Sequence, residues 1–127
     1  MKKNILYISY DGLMEPLGES QVLKYLLKIS STHNINLISF EKNNDLKNTQ
    51  KFQDFKDVCS DHQIVWKPLK YSRLIKYISS LKNITNLFMQ VCTILIVRKI
   101  EIIHIRSYMP WIAVLPLKKL FKFSLVF

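Results

Sequence analysis

Strand-like and helix-like segments alternate five times along this chain, which predicts an α/β domain: a doubly wound, Rossmann-like parallel sheet with strand order 3-2-1-4-5 and helices on both faces. Two further observations support that class. The segment from Ile35 to Phe40 is so uniformly apolar that both its faces must be covered, as in parallel sheets. The only two glycines, Gly12 and Gly18, both fall in one strand-to-helix turn, the place where such folds bind ligands.

The first strand is Ile5 to Ser9, followed by the loop Tyr10 to Gly18 and a helix from about Glu19. In that helix Val22, Leu26 and Ile29 form one stripe with Leu23 and Leu27 beside it, while Lys24, Lys28 and Ser31 face away. Asn34 closes it, and the second strand runs from Ile35 to Phe40. The polar run Glu41 to Asn48 holds Asn43, Asn44 and Asp45 as N-caps for a helix carrying Phe52, Phe55 and Cys59. A third strand, Gln63 to Lys67, is expected to stop at Pro68.

Ser72 is a good N-cap for a helical pattern between Arg73 and Arg98, read either as one helix or as two that divide near Asn83. The fourth strand is Ile100 to Ile105 and the loop Arg106 to Met109 follows. Pro110 suits the first turn of the next helix, whereas Pro116 must kink or restart it, since an interior proline costs about 3 kcal/mol. Ser124 to Phe127 reads as the opening of a fifth strand. Its exposed Leu125 and Phe127 predict that the chain is a piece of a longer protein.

At 127 residues and 49% hydrophobic content the chain is one domain with a real core, Rossmann-like over residues 1–127. Cys59 and Cys92 have apolar neighbours and no metal-ligand spacing, so they read as reduced thiols in a cytoplasmic protein, and no metal is expected. The run Leu87 to Val97 is interrupted by Gln90 and too short to span a bilayer. The net charge of +10 is unevenly placed: eight acids and eight Lys/Arg cancel up to Asp61, whereas from His62 onward eleven Lys/Arg face one acid, Glu101. Such asymmetry points to an anionic partner, or to a merely solvated basic surface. In the acid-free run after His62, Lys67, Lys70, Arg73 and Lys76 are the expected contacts with an anionic membrane, at roughly 1 kcal/mol each.

If strands one and four are neighbours, the winding direction changes between them and ligands bind beyond their carboxyl ends. That places Gly12, Gly18, Arg106, Ser107 and Tyr108 around one crevice, with the N-terminus of the first helix offering its N–H groups to a phosphate, carboxylate or polarised hydroxyl. Two ligand fingerprints fail. The loop lacks G-x-G-x-x-G, although Glu41 stands where a ribose-binding acid would sit, and no P-loop Gly-Lys-Ser/Thr is present.

Gly18-Glu19-Ser20-Gln21-Val22 opening a helix and His33-Asn34-Ile35-Asn36-Leu37 entering strand two resemble the amino-terminal domain of bacterial GT-B glycosyltransferases of family 4. Glu101-Ile102-Ile103-His104-Ile105-Arg106-Ser107 is similar to that family's acid-x-x-His-x-His stretch at strand four, with Arg106 where a second histidine often stands. Asn34 stands in place of the family's glycine before strand two. The resemblance implies a two-domain transferase acting on a surface polysaccharide or lipid-linked acceptor. This chain would bind the acceptor, and an absent C-terminal domain would hold the nucleotide sugar, so no cofactor is expected here and the chain alone should transfer nothing.

Asp11, at the crevice end of strand one, could accept a bond from a sugar hydroxyl, serve as a base, or cap its own turn. Arg106 could hold an anionic acceptor or diphosphate through its planar fork, or pair with Asp11. His104 reads as a core or supporting histidine, and Trp66 and Trp111 as packing. The alternative class is a non-enzymatic module whose basic half docks on an anionic membrane or nucleic acid, with nucleic acid the less expected of the two.

Overall fold

In the computed structural model the described residues are 2–71, 76–106 and 109–126, with 76–80 and 109 described by backbone alone. Five strands form one parallel sheet in the order β3-β2-β1-β4-β5: β1 is Lys3–Ser9, β2 His33–Glu41, β3 Val65–Lys70, β4 Ile102–Arg106 and β5 Ser124–Val126. The doubly wound order expected from the sequence is therefore present, with β1 flanked by β2 and β4.

Period-two alternation sends the strands' side chains to two cores. On one face Leu6, Ile8, Ile38, Phe40, Ile103 and Ile105 pack against Leu87, Val91 and Ile94 of helix α4 (Lys76–Val97) and Ala113 and Val114 of helix α5 (Met109–Val114). On the other, Ile5, Tyr7, Ile35 and Leu37 meet Val22, Leu23 and Leu26 of the first helical segment and Phe55 and Cys59 of helix α3 (Thr49–Asp61). Helical backbone begins at Pro16, earlier than Glu19, because the proline's fixed φ suits a first helical turn. It passes through a π-helical stretch, Gly18–Leu23, into helix α1 (Lys24–Ile29).

Several boundaries differ from the sequence expectation for identifiable reasons. Asn34 lies inside β2, where its amide donates to Asn4 Oδ1 on β1, instead of ending the helix. Asn43, Asn44 and Asp45 are residues of the short helix α2 (Asn43–Lys47), and the cap of α3 is Asn48, whose side chain accepts from Lys51 N at 3.2 Å. Pro68 does not end β3 but sits within it, as an edge strand allows, since a missing N–H on the open side breaks no ladder bond. Of the two readings for this stretch, the single helix holds: α4 is unbroken at Asn83. Arg106 is the last residue of β4, not the start of a loop. At Pro116 the helix does restart, as the 3-10 turn Leu115–Lys119. Ser72, Arg73 and Phe127 lie outside the described residues.

Candidate functional site

The loop after β1 is held by carboxylates of the protein itself. Glu41, the fully buried last residue of β2, accepts from Leu13 N at 2.7 Å and Met14 N at 2.9 Å, one on each oxygen. Glu15 folds back to accept from Gly12 N at 2.9 Å, and its other oxygen pairs with Lys42 Nζ. Three successive loop amides are thus satisfied by acids, so the turn is not a vacant cradle for phosphate. Burial pushes the Glu41 carboxyl above the ordinary range, opposed by the bonds from Met14, Ser39 and Leu13 and reinforced by nearby Asp45. Ser39 in turn accepts from Trp66 Nε1 at 2.8 Å, which extends the network to β3 and gives Trp66 a polar duty besides packing.

The glycines serve this arrangement by small size, since neither has positive φ. A Cβ on Gly18 would run into Gly12 O and come within 2.8 Å of Leu13 O, because the loop's backbone lies directly on the start of the helix. At Gly12 a Cβ would meet Glu41 Oε1 and Phe40 O at 3.3 Å each, a tighter fit than usual but a lesser conflict.

Beside this loop, at the carboxyl ends of β1, β2 and β3, opens a cleft of about 160 Å³ lined by Tyr10, Asp11, Gly12, Glu15, Phe40, Lys42 and Tyr71. Its aromatic wall is a cluster: the Tyr10 ring lies 5.0 Å from Phe40 and 5.6 Å from Tyr71, the latter edge-on. Tyr10 has the parity of Leu6 and Ile8, so it faces α4, where buried Asn83 donates to its hydroxyl at 3.1 Å. Burial raises the Tyr10 phenol above its usual value, so it is a neutral donor and acceptor at physiological pH. A cavity of that size holds about one six-membered ring. A shallower depression of about 500 Å³ lies at the opposite rim, lined by Glu101, Lys118, Phe121, Lys122, Phe123 and Ser124.

Asp11 and Gly12 line the cleft, and Gly18 supports it from beneath. Arg106 is across from Ser9 in register, at the same end of the sheet, but has the parity of the other face. Its Nη2 donates to Gln21 Oε1 at 2.7 Å, so it is directed to the side of the first helical segment and not into the cleft. Ser107 and Tyr108 lie outside the described residues. Lys67 and Lys70 are on edge strand β3, Arg73 is outside the described residues, and Lys76 begins α4 with only its backbone described. His104 is half-buried with its ring 4.7 Å from Tyr7, and burial lowers its pKa, which favours the neutral imidazole.

Tyr10, Phe40, Lys42, Tyr71 and Asn83 were not singled out as site residues from the sequence. The signal that reaches Tyr10 is strand parity carried one residue past β1; Tyr71 and Asn83 come near it only through the tertiary fold. Among the described residues no group of His, Cys, Asp and Glu could hold a metal, and no helix is long and apolar enough to cross a membrane.

No family model and no curated protein matches the chain. Among solved structures, a chain described as "AtPrR2 in apo form" is similar over 93% of this chain at 11% identity, with a TM-score of 0.49. The present chain spans 34% of that protein's length.

Proposed function

We propose that this chain is the acceptor-binding, Rossmann-like half of a glycosyltransferase, taking a sugar or lipid-linked saccharide in the cleft above β1, β2 and β3. The observation that carries the reading is the lining itself: an aromatic wall of Tyr10, Phe40 and Tyr71 facing the polar groups Asp11, Glu15 and Lys42 in a space of about 160 Å³. Pyranose rings present C–H faces to aromatic side chains and hydroxyls to carboxylates, and a few polar groups among apolar ones is how small-molecule sites set orientation. The resemblance of 18–22, 33–37 and 101–107 to family 4 transferases agrees with a sugar ligand. The donor nucleotide sugar and the catalytic step belong, on this reading, to a second domain.

Arg106, bonded to Gln21, serves here in fixing the first helical segment against β4. Asp11, an exposed acid that lines the cleft, is the acceptor-orienting group on this reading. Saturation-transfer NMR with a set of neutral mono- and disaccharides tests the reading: binding is expected for at least one, weakened about tenfold by Tyr10→Ala and by Asp11→Asn. No saccharide binding, or binding indifferent to both substitutions, overturns it. Transfer from a nucleotide sugar catalysed by this chain alone would overturn the division between acceptor and donor halves.

A further inference from the structure

The outward face of α4 is unlike that of α3. On α3 every exposed position is polar or charged, Gln53, Asp54, Lys56 and Asp57 among them, the ordinary choice for a helix facing water. On α4 the corresponding stripe carries Leu81, Met89, Ile96 and Val97, each more than 60% exposed. Between them Thr85 and Thr93 turn their hydroxyls back to Leu81 O and Met89 O, at 2.8 and 2.9 Å, which leaves their methyls outward. Lys82 is the one charged residue on that stripe from residue 81 to residue 97.

Cations collect at its C-terminal end. Arg98 and Lys99 follow α4 directly, and the 3-10 turn after α5 supplies exposed Lys118 and Lys119, with Lys122 beyond. The two junctions are neighbours, because β4 and β5 pair with Ile102 opposite Ser124 and Ser124 N donates to Glu101 O at 2.8 Å. Leu120, 77% exposed, stands among these lysines.

We infer that this face is a docking surface for an anionic lipid bilayer, with α4 lying in the interfacial plane and the lysines and arginine at its end meeting the headgroups. An apolar stripe rimmed by long basic side chains is the pattern of an in-plane helix: the apolar atoms leave water and the charged tips stay at headgroup level. Charge decides among the occupants. A second copy would bring a chain of net charge +10 against its like, and nucleic acid has no use for the apolar stripe. The surface differs from the β3-side lysines expected from the sequence, and it stands on its own whether or not the cleft takes a sugar. Since Asn83, on the inner side of α4, bonds Tyr10, docking this way holds the cleft about one helix diameter, roughly 10 Å, from the lipid.

Sedimentation of the 127-residue chain with vesicles of phosphatidylcholine alone, or mixed with phosphatidylglycerol, is the test. Binding is expected to the mixed vesicles, to fall as salt rises, and to be far weaker to phosphatidylcholine. The pair Met89→Glu with Ile96→Glu, and the triple Lys118→Glu, Lys119→Glu and Lys122→Glu, each lower it at least about tenfold, whereas Lys51→Glu with Lys56→Glu on α3 leaves it unchanged. All are surface positions, and circular dichroism verifies their folding. No binding to the mixed vesicles, equal binding by folded variants, or a dimer that Met89→Glu dissolves overturns the inference. Saccharide binding measured on the same variants separates this outcome from that of the acceptor reading.

Discussion

Glu41 is the residue on which the loop geometry turns. A buried carboxylate costs stability unless its oxygens are satisfied, and here two backbone N–H groups satisfy it, one on each oxygen, while it holds a strand-to-helix turn in place. Truncation in Glu41→Ala orphans both amides and is expected to cost about 2 kcal/mol or more in urea unfolding. The pH dependence has a definite sign. Because the folded chain raises the pKa of Glu41, it holds that proton more tightly than the unfolded chain, so the contribution is present at low pH and is lost as pH climbs from the usual carboxylate range through the raised value. Glu41→Gln has the shape of the protonated acid and should flatten that slope; a variant with the wild-type slope between acid and neutral pH contradicts the assignment.

Gly18 offers a second single-residue check. Its missing Cβ leaves room for the loop carbonyls of Gly12 and Leu13, so Gly18→Ala is expected to destabilise by about 1–3 kcal/mol and Gly12→Ala by less. Thermal melts of the two variants decide it, and equal effects would contradict the packing argument. The Cys59 thiol, buried in the second core, has its pKa pushed up to about 11 by burial and then by Glu41, which makes it a poor nucleophile. A thiol reagent should therefore label Cys92 first in the native chain.

Among elements, α4 does most to join core, cleft and surface. Its inner side fills the first core with Leu87, Val91 and Ile94, and Asn83 one turn above them reaches the Tyr10 hydroxyl. In a helix a buried asparagine is tolerated where it has such partners, which is why α4 runs through Asn83 without a break. Asn83→Ala is expected to cost about 1–2 kcal/mol and to loosen Tyr10, read as weaker saccharide binding. Much of the fold was legible in the sequence because apolar runs and amphipathic stripes report burial directly: β1, β2 and the stripe of Val22 and Leu26 follow from spacing alone. What eluded that reading depended on position in the sheet. Pro68 is compatible with β3 only because β3 is an edge, and Asn34 and Arg106 belong to strands only because β1 lies beside them.

For the whole molecule, the parallel order brings the β1 loop and the end of β4 to one rim, yet strand parity separates their side chains. Asp11 and Gly12 open to the cleft, whereas Arg106 turns to Gln21 on the other face. The candidate site was thus half visible from sequence: the loop was located, but its aromatic partners Phe40 and Tyr71 come from β2 and the residue after β3, and the Asn83 bond from α4. The second-half charge excess takes spatial form as well, with Arg98, Lys99, Lys118, Lys119 and Lys122 gathered at the amino-end rim and the cleft at the carboxyl-end rim. The proposed acceptor cleft and the proposed docking face are therefore separate surfaces.

Since the loop amides are already engaged by carboxylates, ligand recognition should come from side chains, and the preferred ligand should be a neutral polyhydroxyl compound over an anion. Amide-resolved NMR titrations of the chain with a neutral saccharide and, separately, with inorganic phosphate test this most directly. The saccharide is expected to shift Tyr10, Asp11, Lys42 and Tyr71 while phosphate leaves the Leu13 and Met14 amides in place; phosphate moving those two amides, with the saccharide moving nothing, would contradict the account.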